Sequence, residues 1–176
     1  KSLDLSISVH QRTTPVQDLL AAGARQVGTH ADLAACDAVL ICVTGSPQVE
    51  AVVAGPGGLL SKARSGLVII DTSTSEPDST RRLAALCAEH GVIYVDAPLT
   101  RTPIEAEAGK LNSMVGASPE VFSRIEPVIR AYSENVFHVG EMGSGHVIKL
   151  LNNFVAQAIC TATAEAFAVG AKAGVD

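Results

Sequence analysis

Short apolar runs alternate with longer amphipathic stretches along nearly the whole chain, and that alternation predicts strands and helices in turn. Residues 5–10 read as a strand and 15–24 as a short helix closing near Gly23. A helical turn over 29–36 feeds an apolar strand at 38–43. Ser46-Pro47 opens a helix, with a hydroxyl cap and a proline at its first position, and Gly55-Pro56-Gly57-Gly58 breaks it. A buried strand is predicted at 67–71, a helix at 77–90 ended by Gly91, and a strand at 92–95. Residues 96–110 read as irregular and 111–115 as a strand. Ser118-Pro119 opens a helix to about residue 132, a strand follows at 135–139, and a long Ala-rich helix runs from about 145 to 173. The expected division is an α/β domain over 1–142 and a long helix over 143–176.

Strand–helix alternation with short links predicts a doubly wound, mostly parallel α/β sheet. Ligands of such sheets bind beyond the carboxyl ends of the strands. That directs attention to residues 10–13, 43–46, 71–75 and 96–102. Composition narrows the class further. The 176 residues are 47% apolar but only 3% aromatic, so the core must be aliphatic, as parallel strands covered by helices require. Net charge is −5 with no basic stripe, which argues against a nucleic-acid partner. The unbroken apolar runs fall short of about 18 residues, so no membrane span is expected. Cys36, Cys42, Cys87 and Cys160 form no C-x-x-C pair and lie in apolar runs. They read as buried, reduced thiols of a cytoplasmic protein.

A dinucleotide site should announce itself by G-x-G-x-x-G after its first strand, and none occurs. Gly140-Glu141-Met142-Gly143-Ser144-Gly145 has the order G-x-x-G-x-G and reads as a tight turn or, alternatively, a phosphate cradle. It lies just before Lys149. Lys149 and Asn153 are four apart and share a helix face, which Gln157 extends. An amine near a positive helix end and away from water has a lowered pKa, which suits a proton donor. The alternative is a lysine whose stem lies along the surface with its head in water.

Three motifs carry a family resemblance. Asp96-Ala97-Pro98-Leu99-Thr100-Arg101-Thr102 followed by Glu107-Ala108-Gly109-Lys110-Leu111 resembles the substrate loop of the β-hydroxyacid dehydrogenases. Gly143-x-Gly145-x-x-x-Lys149-x-x-Asn152-Asn153 resembles their catalytic helix, and Asp71-Thr72-Ser73-Thr74 resembles their turn beside the nicotinamide. The resemblance implies a Rossmann-like domain of an oxidoreductase that moves a hydride between NAD(P) and a small 3-hydroxy acid or its semialdehyde. It implies Lys149 as proton donor and Asn153 and Thr100 as substrate ligands. Thr74, Val43 and Thr44 would border the cofactor, with a helix cap as the alternative role for Thr74. A small anionic substrate and a homo-oligomeric parent enzyme follow as expectations. A non-catalytic NADP-binding module of the same fold is the competing reading, and retention of Lys149 with Asn153 argues against it.

The departures shape further expectations. The family's first strand and glycine loop would precede Lys1, and its helical C-terminal domain would follow Asp176. The chain by itself is therefore expected to bind cofactor poorly and to be inactive. The usual glycine pair of the substrate loop is replaced by Arg101-Thr102, as in sulfolactaldehyde reductases of the family. Arg101 and Thr102 then join the substrate set, since a guanidinium offers a fork to a carboxylate or sulfonate. The alternative for Arg101 is a surface pair with Glu105 or Glu107. After the first strand stands His10-Gln11-Arg12-Thr13 with no acidic residue, so Arg12 and Thr13 are candidate ligands of a 2′-phosphate, pointing to NADP in preference to NAD. The five histidines and four cysteines show no metal-ligand spacing.

Overall fold

Residues 68–71 are buried at every position, and successive side chains enter different halves of the core. The computed structural model describes residues 4–8 and 16–175. Its elements in chain order are β1 (Ser6–Ile7), α1 (Gln17–Ala21), β2 (Arg25–Gln26), β3 (Ala38–Ile41), α2 (Ser46–Ala54), β4 (Val68–Asp71), α3 (Pro77–Glu89), β5 (Ile93–Asp96), β6 (Leu99–Thr100), α4 (Pro103–Glu107), β7 (Leu111–Gly116), α5 (Pro119–Ile129), β8 (Ser133–Gly140) and α6 (Ser144–Lys172). Ile69 packs with Val39, Ile41, Val49, Val53, Leu83 and Cys87, which places α2 and α3 on one face. Val68 and Ile70 pack with Val95, Val115, Ile125 and Ile129, which places α5 on the other. A strand covered on both faces has no polar side to present, which is why β4 reads as a continuous apolar run.

The main sheet has the order β3-β4-β5-β7-β6, with β8 on β7, while β1 and β2 form a separate parallel pair. β3, β4 and β5 are parallel, as are β7 and β8, so the predicted mostly parallel α/β sheet is present. Three features depart from the sequence expectation. β2 was not anticipated, because two polar residues carry no hydrophobic pattern. Residues 96–110 contain β6 and α4 instead of irregular chain. β7 runs antiparallel to β5 and β6. The pairs Asp96↔Gly116 and Leu99↔Ser113 keep one register, so β6 continues the line of β5 along one edge of β7. Most of β7, with β6 and the start of β8, therefore extends beyond the carboxyl end of β5. That overhang borders the region where the sheet presents its loops.

α6 packs against α3, β5, β7 and β8 near its start. Beyond that it carries bare apolar side chains, among them Leu151, Phe154, Val155, Ile159, Phe167 and Val169. By length and composition α6 is apolar enough to cross a membrane. The sequence expectation to the contrary considered unbroken apolar runs, whereas here alanines and isolated polar residues share one 29-residue helix. The thiol expectation also needs correction. Cys87 is buried, and burial pushes its thiol up to about 12. Cys36 is half-buried, while Cys42 after the edge strand β3 and Cys160 on α6 are exposed.

Candidate active site

The loops after β3 and β4 are stitched together by the hydroxyls of the Asp71–Ser75 turn. Thr72 donates both its amide and its hydroxyl to the Ile41 carbonyl, each at 2.8 Å. The Val43 amide donates to Ser73 Oγ at 3.0 Å. Ser46 was expected to cap α2, but Gly45 holds the cap position and Ser46 Oγ accepts the Glu76 amide at 2.8 Å. Asp71 has no exposed surface and accepts from the Ser73 amide, Ser75 Oγ and Tyr94 Oη at 2.9, 3.0 and 2.9 Å. Burial and the Asp71 charge hold the Tyr94 hydroxyl above its usual range, so it stays a donor. This lattice fixes a rim on which Val43 is half-buried and Thr44 and Thr74 are exposed. Glu76 holds the cap position of α3, and the Thr74 hydroxyl has no hydrogen-bond partner among the described residues. It is not a helix cap.

The Gly143-x-Gly145 turn seats α6 on the sheet. Gly143 adopts φ 96°, in the left-handed region that glycine tolerates. Its amide donates to Asp96 Oδ1 at 2.6 Å, and the His146 amide donates to Asp96 Oδ2 at 2.8 Å. A buried carboxylate from β5 thus caps the helix, in place of the absent side-chain cap. Burial raises the Asp96 carboxyl above its usual range, while those two amides and His146 oppose the shift. At Gly145 a Cβ would stand 2.5 Å from the Met114 carbonyl oxygen and 2.9 Å from that of Asp96. The turn reading of this glycine run holds, because the Gly143 and His146 amides already serve Asp96 and do not form an open phosphate cradle. His146 is fully buried; its Nδ1 lies 2.7 Å from Thr80 Oγ1 and its Nε2 3.2 Å from the Ser73 carbonyl oxygen.

Ser73 is consequently the meeting point of the site. Its hydroxyl holds the Val43 loop, its carbonyl meets the first turn of α6, and Thr74 follows it. Lys149 lies one turn beyond His146 and is half-buried. Burial pulls its ammonium below the usual lysine range, and no side chain among the described residues pairs with Nζ. Asn153, half-buried, shares the Lys149 face one turn on, and Gln157 is exposed.

Residues 100–102 separate into different duties. Thr100 is half-buried in β6, on the overhang opposite Asn112. Arg101 has φ 84°, alone among the described non-glycine residues in the left-handed region. That conformation costs about 1 kcal/mol or more for a side chain with a Cβ. Its Nη1 donates to the Lys110 carbonyl and to Glu134 Oε2, each at 2.6 Å. The surface partner is therefore Glu134 of β8 and neither Glu105 nor Glu107. Thr102 caps α4, with its hydroxyl and amide both donating to Glu105. Arg12 and Thr13 lie outside the described residues. Sequence reading missed Ser73, Thr80, Tyr94 and His146 as site-builders, since each resembles an ordinary core or helix residue until the fold joins them.

Exposed hydroxyls at the carboxyl ends of a mostly parallel sheet, beside a helix carrying a partly desolvated lysine, are features of a nucleotide-binding α/β domain. Comparison with known proteins makes this specific. Residues 1–140 match the NAD binding domain of 6-phosphogluconate dehydrogenase, and the chain belongs to that family. It is 41% identical over 142 residues to 2-(hydroxymethyl)glutarate dehydrogenase of Eubacterium barkeri, covering 81% of this chain and 47% of that protein. It is 34% identical over 152 residues to 3-hydroxyisobutyrate dehydrogenase of Pseudomonas aeruginosa, covering 85% and 51%. The fold superimposes on a crystal structure described as an oxidoreductase from Mycobacterium avium 104 with a TM-score of 0.88 and 32% identity, over 98% of this chain and 61% of that one. The chain spans about half the length of the curated relatives it matches.

Proposed function

We propose that the protein containing this chain is an NAD(P)-dependent dehydrogenase or reductase of small 3-hydroxy acids and their semialdehydes. The observation that carries this is Lys149: half-buried, without a protein partner among the described residues, and anchored through Asp96 and His146 to the turn bearing Thr74. The rim fits a nicotinamide, since half-buried Val43 offers an apolar edge and Thr44 and Thr74 offer exposed hydroxyls. The dinucleotide, when bound, supplies or accepts the hydride. Lys149 gives a proton to the substrate oxygen in reduction and takes it back in oxidation. Asn153 and Thr100 hydrogen-bond the substrate and orient it towards Nζ. The bare apolar flank of α6 supports its role as an interdomain helix, covered by protein and not by lipid. Retention of an unpaired lysine favours the enzyme over a non-catalytic binding module. Assaying the full-length protein on a panel of hydroxy acids and semialdehydes, with NADPH and NADH in parallel, tests the reading; no turnover of any acid in the panel would refute it.

NADP is the cofactor we favour, supported by Arg12 and the lack of an acid after the first strand. Arg12→Ala is expected to raise the KM for NADPH and leave that for NADH nearly unchanged. Equal shifts would show that Arg12 does not read a 2′-phosphate.

Arg101 is proposed to hold the acid group of the substrate. Only its Nη1 is engaged among the described residues, which leaves Nε and Nη2 as donors for an anion. Thr102 would contribute through the cap that shapes this loop. Arg101→Ala is expected to lower kcat/KM on acidic aldehydes about ten- to a hundred-fold, as for loss of a charge-assisted hydrogen bond. Matched neutral aldehydes should be little affected. Equal losses on both would reduce Arg101 to a surface partner of Glu134.

A further inference from the structure

The proposed reaction assigns Thr100 to the substrate but gives no role to the two side chains beside it. On the overhang, Thr100 of β6 stands opposite Asn112 of β7, and Asn112 stands opposite Asn135 of β8. Residues directly opposite in neighbouring strands point to the same face, with Cβ atoms about 5 Å apart. Thr100, Asn112 and Asn135 therefore make one polar row across three strands, and all three are half-buried. Alternation along the strands fixes the face. Val115 and Val136 point the other way, into the cluster formed with Ile125 and Ile129 of α5. The row thus lies on the side of the sheet that α3 and α6 occupy, the side of Lys149.

A β-bulge sets this row. Leu111 pairs with Ser133 while Asn112 pairs with Asn135, so Glu134 is an extra residue on β8. In unbroken register Glu134 would stand opposite Asn112. The bulge instead sends that carboxylate to Arg101 and brings the Asn135 amide into the row. The two amides engage each other, with Asn135 Nδ2 donating to Asn112 Oδ1 at 3.0 Å. One bond between two amides leaves one NH2 and one oxygen over, here Asn112 Nδ2 and Asn135 Oδ1. Neither has a partner among the described residues, and nor does the Thr100 hydroxyl. The row carries no charge and offers both donors and acceptors to a group seated beside Thr100.

We propose that Asn112 and Asn135 are specificity-determining residues, a neutral amide pair that selects substrates with an oxygen-bearing arm, hydroxyl or carboxylate, on the carbon between the reacting carbon and the acid group. This deepens the reaction proposed above and rests on Thr100 as its substrate ligand. With the acid group on Arg101 and the reacting oxygen at Lys149, the arm is the part of the substrate left to meet the row. A methyl arm would cover the free NH2 and oxygen without bonding them. A site built for hydrogen bonds discriminates against an analogue that lacks them.

The test uses the full-length protein and three semialdehydes that differ only in the arm: methyl, hydroxyl or carboxyethyl. Wild-type kcat/KM should be about tenfold or more higher on an oxygen-bearing substrate than on the methyl one. Equal values, or a preference for methyl, would overturn the proposal and leave the reaction standing. No turnover on a whole panel of hydroxy acids and semialdehydes would refute the reaction and the proposal with it. Asn112→Leu keeps the volume and removes the amide, and should shrink the preference about tenfold. An equal loss on all three substrates would make the pair only a strut between β7 and β8, and the proposal would fall. Asn112→Asp keeps the acceptor for Asn135 and separates the two arms, because a carboxylate there repels a carboxyethyl arm and still accepts from a hydroxyl. The ratio of hydroxyl to carboxyethyl activity should therefore rise in Asn112→Asp, and an unmoved ratio would count against the row as the seat of the arm. If Asn112→Leu fails to fold, the wild-type preference and the Asn112→Asp ratio still decide.

Discussion

Lys149→Ala is expected to lower the kcat of the full-length protein by about 10²-fold or more, the usual loss when a general acid is removed. The physical basis is the environment of the amine. Nζ is partly desolvated and lacks a carboxylate partner among the described residues, so its ammonium is pulled below the usual lysine range. The sign of the pH dependence follows. In the proposed reaction, reduction needs the protonated amine, so its rate should be level at low pH and fall as pH rises through an inflection below the usual lysine range. Oxidation needs the free amine and should rise through the same inflection. Both limbs should disappear in Lys149→Ala. Steady-state rates against pH in the two directions check this, and near-wild-type turnover in the variant would remove Lys149 from the chemistry.

Gly145→Ala should damage both stability and catalysis. The added methyl would stand 2.5 Å from the Met114 carbonyl oxygen and 2.9 Å from the carbonyl and a carboxylate oxygen of Asp96. These atoms belong to buried strands and cannot yield singly, so the start of α6 must rise and stretch the bonds from Gly143 and His146 to Asp96. Overpacking of this kind costs about 1–3 kcal/mol. For a protein of this size that lowers Tm by roughly 2–4 °C per kcal/mol. Gly170→Ala is the control within the same helix, where a methyl meets nothing within 4 Å. It should be neutral or stabilising, because alanine is favoured over glycine in helices by about 1 kcal/mol. Equal melting temperatures for the two variants would show that the Gly145 contact is not tight.

The β-hydroxyacid dehydrogenase reading rested on local strings, and the comparisons support it for that reason. Asp71–Thr74, the Asp96–Leu111 loop and the Gly143–Asn153 helix start keep their residue order whatever the distant packing does. The register of the overhang was not legible, since β6 is two residues long and reads as loop. Nor was the duty of Arg101. Spacing to Glu105 and Glu107 offered local partners, but the left-handed backbone and the approach of β8 gave it Glu134.

The sequence by itself determined the strand–helix alternation and the buried character of 68–71, and singled out the candidate residues for chemistry, because hydrophobic period and motif order are properties of neighbouring positions. Only the tertiary structure decided that Ser73, Thr80 and His146 meet, that Asp96 caps α6, and that β7 turns antiparallel. The hydrogen bonds among Ser73, Thr80, Asp96 and the start of α6 join residues 47 to 73 apart. Their existence depends on burial: once the carboxyl ends of β4 and β5 are closed off from water, each buried polar group must find a partner there, and the nearest donors and acceptors belong to other elements.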